Sequence, residues 1–422
     1  MAEPQAGTLI VGASQAGLQL AVSLRALGDT EPITLVGAEA HPPYQRPPLS
    51  KAFLSGGVEA ESLAFRTAAF YAETGIELVC GERVTDIRLP RERGQSTGVA
   101  MTGSGRDLPF HRLALAVGGR PRRLQVPGHD LRGVTYLRDI ADATSFRSQL
   151  SSARDVVVVG GGFIGLEAAA AARGAGKAVT VVEAAERLMS RAVAPVVSEF
   201  YRRAHERRGT RVMLSAPVSG FVGGDGRVTG VRLADGRTVS ADLVLVGVGL
   251  VPRTELAGQL GLECEGGIVV DSAARTSDPS IVAAGDCTVL PHPVTGEGRV
   301  RLESVQNAVA QARVAAASLV GAREDFRDVP WFWSDQYDLK LQIAGLSAGY
   351  DHCVMRGEPE SERFSVLYYR HDRLLAIDSV NRPIDYMAVR KALSDGGTID
   401  PDQAADATVP LKHLIARPGR TA

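Results

Sequence analysis

The residues with the most legible chemistry are glycines. Gly160-Gly161-Gly162-Phe163-Ile164-Gly165 follows the apolar run Val156–Val159 and leads into an Ala-rich stretch, 166–174. At a strand-to-helix turn each position of this spacing has a physical reason. Gly160 permits the tight turn, Gly162 lets backbone amides approach a pyrophosphate, and Gly165 lets helix and strand pack closely while the helix N-terminus faces the anion. Glu183 ends the next apolar run, 179–182, and lies 23 residues after Gly160, where a carboxylate accepts from a ribose 2′-hydroxyl. A plain glycine turn leaves Glu183 without a purpose. The same carboxylate repels a 2′-phosphate, so NADH is expected over NADPH. Gly160, Gly162, Ile164, Gly165 and Glu183 are the expected nucleotide contacts, and Arg187 and Arg191 read as solvent-facing helix charges.

A second copy of the pattern lies 148 residues upstream: Gly12-Ala13-Ser14-Gln15-Ala16-Gly17 after the run 8–11. Ser14 takes the middle glycine's place and brings a hydroxyl toward the phosphates. The position equivalent to Glu183 is Gly37, and the nearest carboxylate is Glu39. Two dinucleotide turns in one chain point to two nucleotides, FAD in the first and NAD(P) in the second.

These motifs need elements to hold them. Each repeat reads as strand, helix, strand, with helices over 18–27 and 166–174 and second strands over 33–36 and 179–182, the pattern of parallel sheets covered on both faces. Runs 113–117, 243–248 and 281–286 read as further buried strands, and an Ala-rich helix is expected from Ser304 to about Val320. Beyond Asp328 the composition changes. Trp331 and Trp333, with strand-like runs 364–369 and 374–377, predict a third domain rich in antiparallel sheet.

The chain of 422 residues is long enough for two or three domains. Its net charge of −1 gives no electrostatic reason to expect a nucleic-acid or membrane partner. The sequence shows no membrane-spanning run and no secretory leader, so the cytoplasm is the expected compartment. Four Cys at 80, 264, 287 and 353 fit neither a disulfide framework nor a CxxC pair, and the eight His show no ligand spacing, so no metal is expected. Only five of 47 cations are Lys, and the first 176 residues contain one, Lys51. A generic surface cation in this chain is Arg, which makes Lys51 a residue to explain.

Across nearly its whole length the chain resembles the FAD-dependent ferredoxin reductases of bacterial oxygenase systems. The resemblance rests on Pro47-Pro48-Leu49-Ser50-Lys51, on 160–167, on Ala284-Gly285-Asp286-Cys287, on Glu303-Ser304-Val305, on Trp331-Phe332-Trp333-Ser334-Asp335-Gln336-Tyr337 and on Val380-Asn381-Arg382-Pro383. It implies a glutathione-reductase-like α/β fold: two Rossmann-type dinucleotide-binding domains plus an α+β C-terminal domain. The implied boundaries are 1–119 with 247–326 for FAD, 120–246 for NAD, and 327–422 for the C-terminal domain.

The same resemblance implies roles. Asp286 bonds the ribityl chain of FAD, and Val305 begins a helix whose N-terminus faces the flavin pyrimidine edge, where positive potential favours the reduced anion. Gly12, Ser14, Ala16, Gly17, Arg46, Lys51, Val84 and Arg138 match FAD-lining positions, although Val84 reads equally well as strand core. Ala38 stands where the family often has a ribose-binding Asp, with Glu39 as its replacement. Lys51 and Glu167 form the catalytic pair: an ammonium by the reacting flavin nitrogen favours accepting a hydride, and Glu167 holds it. Trp333 lies where the third domain covers the flavin. No Cys falls in 37–79, where related thiol enzymes carry one, so electrons are expected to leave the flavin directly. The implied acceptor is a 2Fe–2S ferredoxin serving a haem monooxygenase or dioxygenase, docking at Arg313, Lys340 and Lys412. The alternatives are rubredoxin as acceptor, a flavin oxidase, or an NADH-sensing interaction protein of apoptosis-inducing-factor type.

Overall fold

The computed structural model describes residues 6–90, 97–293 and 298–416. The chain divides into two compact units. The first comprises the described residues up to Gln45, Leu63–Arg120 and Val251–Pro330; the second comprises Arg46–Ser62, Pro121–Leu250 and the chain from Trp331 onward.

The first unit is built on β-branched strands, of which Gly7–Val11 and Ile33–Gly37 are buried along their whole length. Ile76–Cys80, Ile33–Gly37, Gly7–Val11 and Asp107–Leu115 lie side by side in that order, all parallel. Ile281–Ala283 joins the carboxyl half of Asp107–Leu115 in parallel, while Gly98–Thr102 and Val84–Arg88 extend its amino half antiparallel. Chain order reverses between Gly7–Val11 and Asp107–Leu115, and in such sheets ligands bind outside the carboxyl ends of the strands at that reversal. The helices Gln15–Ala26 and Val305–Leu319 pack together in this unit.

The second unit repeats the plan. Arg211–Met213, Ala178–Val182, Asp155–Val159, Leu243–Val246 and Val134–Thr135 form a parallel sheet in that order. A three-stranded antiparallel sheet, Val218–Gly224, Arg227–Leu233 and Thr238–Ser240, shares a core with it through Val157, Val244, Val231 and Phe221. From Trp331 on, five antiparallel strands run in the order Trp331–Gln336, Leu339–Gly345, Arg373–Val380, Arg363–Arg370, His352–Glu358. The helix Pro383–Ser394 closes that sheet over Leu367, Ile377, Tyr386 and Val389.

Both Rossmann helices begin three residues before the expected positions, at Gln15 and Phe163. Gly17 and Gly165 fall in the first turns of these helices, where a Cβ would strike the carbonyl oxygen of Gly12 or Gly160 at 2.0 and 2.3 Å. The strand expected at 113–117 stops at Leu115 but reaches back to Asp107.

Candidate active site: two nucleotide turns and a buried Lys–Glu pair

In the second repeat Gly160 adopts φ +108°, and a Cβ there would lie 2.4 Å from the carbonyl oxygen of Gly247. Gly162 is the N-cap of helix Phe163–Gly174, provides no capping side chain, and has nothing within 4 Å of where its Cβ would be. No side chain caps the first-turn amides, and Ile164 beside them is half exposed. Glu183 Oε2 accepts from the Gly161 amide at 2.5 Å and Oε1 from the Ala185 amide at 2.8 Å. An ionised carboxylate has about four acceptor positions, so two bonds leave capacity for a ribose hydroxyl. Arg187 differs from expectation. It is no solvent-facing helix charge but lies in a loop, donating to the carbonyls of Ser190 and Val193 and to Ser198 Oγ at 2.6, 2.7 and 2.9 Å. The loop after Glu183 thus uses Arg187 as an internal staple. Arg191 is exposed, but also in the loop.

The first repeat has the same skeleton. Gly12 adopts φ +120°, with the Ala116 carbonyl oxygen 2.1 Å from a would-be Cβ. Ser14 is the N-cap of Gln15–Ala26 but makes no side-chain capping bond. By contrast Asp139 caps helix Ile140–Ser152 and Ser304 caps Val305–Leu319 with side-chain oxygens. Ala38 is exposed, and Glu39 Oε2 accepts from the Tyr44 hydroxyl at 2.6 Å. Val84 is buried at the start of its strand.

Asp286 lies in the turn after Ile281–Ala283, beside Gly285 at φ +88°, whose missing Cβ leaves room for Ala16. Gln311, buried on the Val305 helix, holds this turn. Its Oε1 accepts from the Gly285 amide at 2.7 Å and the Thr288 hydroxyl at 2.8 Å. Gln306 Oε1, Asn307 Oδ1 and Gln311 Nε2 are buried with no hydrogen-bond partner among the described residues. Helix amides without side-chain caps, and unspent polar groups on the Val305 helix, fit nucleotide cofactors in chemistry.

The second unit brings Lys51 and Glu167 together. Lys51 Nζ lies 2.8 Å from Glu167 Oε2, the lysine 18% exposed and the glutamate 3%. Glu167 also accepts from Ser50 Oγ at 2.5 Å and Ser334 Oγ at 2.7 Å. Behind Ser334, Gln336 Nε2 donates to Ser334 Oγ at 3.2 Å, and Gln336 Oε1 is 2.9 Å from His205 Nε2. Burial holds the His205 imidazole at about 4, well below its ordinary value. Arg46 N-caps the short 3-10 helix Pro47–Ser50 and donates to the Arg138 carbonyl at 2.8 Å, so these two expected FAD positions also meet. Trp333 is half buried, 5.7 Å from Trp331 between ring centres. Strand alternation puts it on the opposite face from Phe332, Ser334 and Gln336, and Phe332 packs on Phe163 at 4.7 Å. Ser50, Ser334, Gln336, His205 and Gln311 were missed from sequence. Ser50 abutted the chosen lysine, and Ser334 and Gln336 lay in a segment that carried the resemblance, while His205 and Gln311 carry no local signal.

With this geometry in view, residues 7–312 match the model of the pyridine nucleotide-disulphide oxidoreductases. The chain belongs to that family. Residues 331–415 of this oxidoreductase match a second model, the reductase C-terminal domain. It is 47% identical to rhodocoxin reductase of Rhodococcus erythropolis, covering 97% of this chain and 94% of that protein. It is 42% identical to putidaredoxin reductase of Pseudomonas putida, covering 97% and 96%. A crystal structure of a covalent putidaredoxin reductase–putidaredoxin complex matches with a TM-score of 0.91 at 41% identity, over 98% of each chain. The glutathione-reductase-like α/β fold is that of the family, and FAD and NAD(H) are the oxidoreductase's cofactors.

Thiol chemistry finds no support in this member. All four cysteines are unpaired. Cys287, next to Asp286, is fully buried, and burial pushes its thiol up to about 12, far from the thiolate a redox cysteine needs. Burial also raises Cys80, Cys264 and Cys353. Among the described residues, no helix is long and apolar enough to cross a membrane.

Proposed function

We propose that this oxidoreductase is the NADH-dependent reductase of a bacterial oxygenase system, passing electrons from NADH through FAD to a 2Fe–2S ferredoxin. The observation that carries this reading is the Lys51–Glu167 ion pair, its carboxylate buried, in a chain that holds two nucleotide turns and four free, unpaired cysteines. Without a thiolate relay, electrons leave the flavin directly, and a one-electron protein acceptor suits that exit. The relatives named for rhodocoxin and putidaredoxin support the acceptor class.

FAD, when bound, supplies the conversion of a two-electron hydride into single electrons. The chain's residues do the rest. Gly12, Ser14 and Gly17 present backbone amides to the FAD pyrophosphate, Glu39 takes the adenosine ribose in place of Ala38, and Asp286 takes the ribityl hydroxyls. Ala16, Arg46, Val84 and Arg138 line the cofactor, and the amide end of the Val305 helix favours negative charge on it. Lys51 supplies the cation that hydride acceptance calls for, Glu167 anchors it, and Trp333 keeps water from the flavin. Gly160, Gly162, Ile164 and Gly165 receive NADH, with Glu183 selecting the free 2′-hydroxyl. Arg313 is exposed on the first unit, and Lys340 and Lys412 are exposed on the second. Each is separately proposed as a contact for an acidic ferredoxin. Four free thiols fit a reducing compartment, the cytoplasm.

The test uses the FAD-loaded protein with NADH and a panel of 2Fe–2S ferredoxins. Expected are ferredoxin reduction faster than rubredoxin reduction, and kcat/KM for NADH at least about tenfold above that for NADPH, the gap narrowing in Glu183→Ala. A long-lived NADH complex with altered oligomeric state and no ferredoxin turnover overturns the reading. Equal use of the two nucleotides removes the role given to Glu183.

A further inference from the structure

We propose that Ser334 and Gln336 are positioning residues for flavin reduction, acting through Glu167 on Lys51; this rests on the role given to Lys51 above. The argument is directional. An ionised carboxylate only accepts, so Ser334 must spend its hydroxyl proton on Glu167 Oε1, 2.7 Å away. Its oxygen is then free to accept, and Gln336 Nε2 donates to it at 3.2 Å. That fixes the Gln336 amide with its oxygen toward His205, whose Nε2 must carry the proton at 2.9 Å. His205 Nδ1, buried and without a partner, is what a neutral imidazole of that tautomer leaves behind.

Every donor in the chain therefore points the same way, toward Glu167. Aligned hydrogen bonds in a low-dielectric interior polarise one another, and Ser334, Gln336 and His205 are all fully buried. Ser334 holds one carboxylate oxygen while Ser50 and Lys51 share the other. Without the grip on Oε1 the carboxylate is free to rotate about its bond to Cγ, and the ammonium 2.8 Å from Oε2 moves with it. A strand more than 160 residues away in sequence thus sets the position of the lysine.

The test is stopped-flow reduction of the FAD-loaded protein by NADH. Ser334→Ala, which removes only the hydroxyl and keeps Cβ, is expected to lower the limiting reduction rate about threefold to thirtyfold, with the apparent Kd for NADH unchanged. Gln336→Leu, a second variant should Ser334→Ala lose its flavin, is expected to give a smaller loss in the same step. In a Lys51→Met background Ser334→Ala should add nothing, because its effect runs through the ammonium. A wild-type limiting rate in both single variants overturns the proposal. So does a full additive loss in the double variant, which marks general damage. A Lys51→Met protein that reduces at the wild-type rate instead sinks the role of Lys51 itself.

Discussion

The two βαβ repeats share a backbone and divide their side chains in opposite ways. Val11 pairs with Val36 and Val159 with Val182; the following glycine amides, Gly12 and Gly160, both donate 2.8 Å bonds to those partners' carbonyls. The register makes Ala13 equivalent to Gly161 and Gly37 equivalent to Glu183. In the first repeat the turn keeps its methyl and the strand end gives way: a Cβ on Gly37 would lie 2.6 Å from that of Ala13. In the second the strand end carries the carboxylate and the turn is bare, a Cβ on Gly161 lying 3.2 Å from Glu183 Oε2. The space between turn and strand end accommodates one side chain. Where that side chain sits decides whether a carboxylate stands at the strand end, as Glu183 does, or farther along, as Glu39 does.

A second asymmetry lies one helical turn on. Glu167 is the equivalent of Gln19. Gln19 donates to Ser23 on its own helix at 3.1 Å, whereas Glu167 is buried and takes Lys51, Ser50 and Ser334. In the proposed function the second repeat takes part in the chemistry, while the first remains a binding element.

The largest expected effect removes this second asymmetry. Lys51→Met keeps much of the stem and loses the charge, and flavin reduction by NADH should slow roughly tenfold to a thousandfold, the upper end being the scale of one lost electrostatic donor. Stopped-flow bleaching of the oxidised flavin measures it, and retained FAD separates catalysis from binding.

The first asymmetry can be broken by transplant. Gly37→Glu alone overpacks the turn, for which about 1–3 kcal/mol of destabilisation is expected, with loss of FAD. Adding Ala13→Gly copies the second repeat's arrangement and should recover most of both. Thermal unfolding and flavin content report the two, and a double variant no better than the single one means the repeats are not interchangeable at this point.

An effect of at most similar size concerns the buried chain behind Glu167, which the first repeat lacks. His205 sits at about 4 in the folded protein and near 6.5 unfolded, because burial opposes its charge. Below pH 6.5 the unfolded chain takes up a proton that the folded one refuses. Stability is therefore complete above pH 6.5 and falls as pH drops toward 4, by up to about 3 kcal/mol. Denaturant midpoints measured across that window should lose much of their slope in His205→Asn. An unchanged slope would show that other groups govern acid lability.

The smallest effect is at Ser14. Glycine is itself a favoured N-cap, so Ser14→Gly should keep FAD and change stability by only a few tenths of a kcal/mol. A variant that purifies without flavin would make Ser14 a phosphate ligand and the two turns less alike than their backbones.

Much of this was legible because it is local. The glycine spacings, the β-branched runs and Glu183 at a strand end lie within about 30 residues of each other, the reach of a βαβ unit. The helix expected from Ser304 to about Val320 runs from Val305 to Leu319. Arg187 was misread because its partners are carbonyls of an irregular loop, and no periodicity encodes such a loop. Lys51 stood out by composition, as a lysine in an arginine-rich chain, and its pairing with Glu167 came from family resemblance.

By itself the sequence determined two nucleotide turns, the absence of a redox-type cysteine pair and the strands that carry the turns, since steric demands on neighbouring residues are written in neighbouring letters. Tertiary structure alone decided what surrounds the Lys51–Glu167 pair. Ser50, Glu167, Ser334, Gln336 and His205 come from four separate stretches of chain, and their hydrogen bonds exist only because the strand Trp331–Gln336 turns its Phe332, Ser334 and Gln336 face toward the helix Phe163–Gly174. Strand alternation offers two faces, and which of them is buried against a distant helix is settled by packing, a long-range free energy with no local signature.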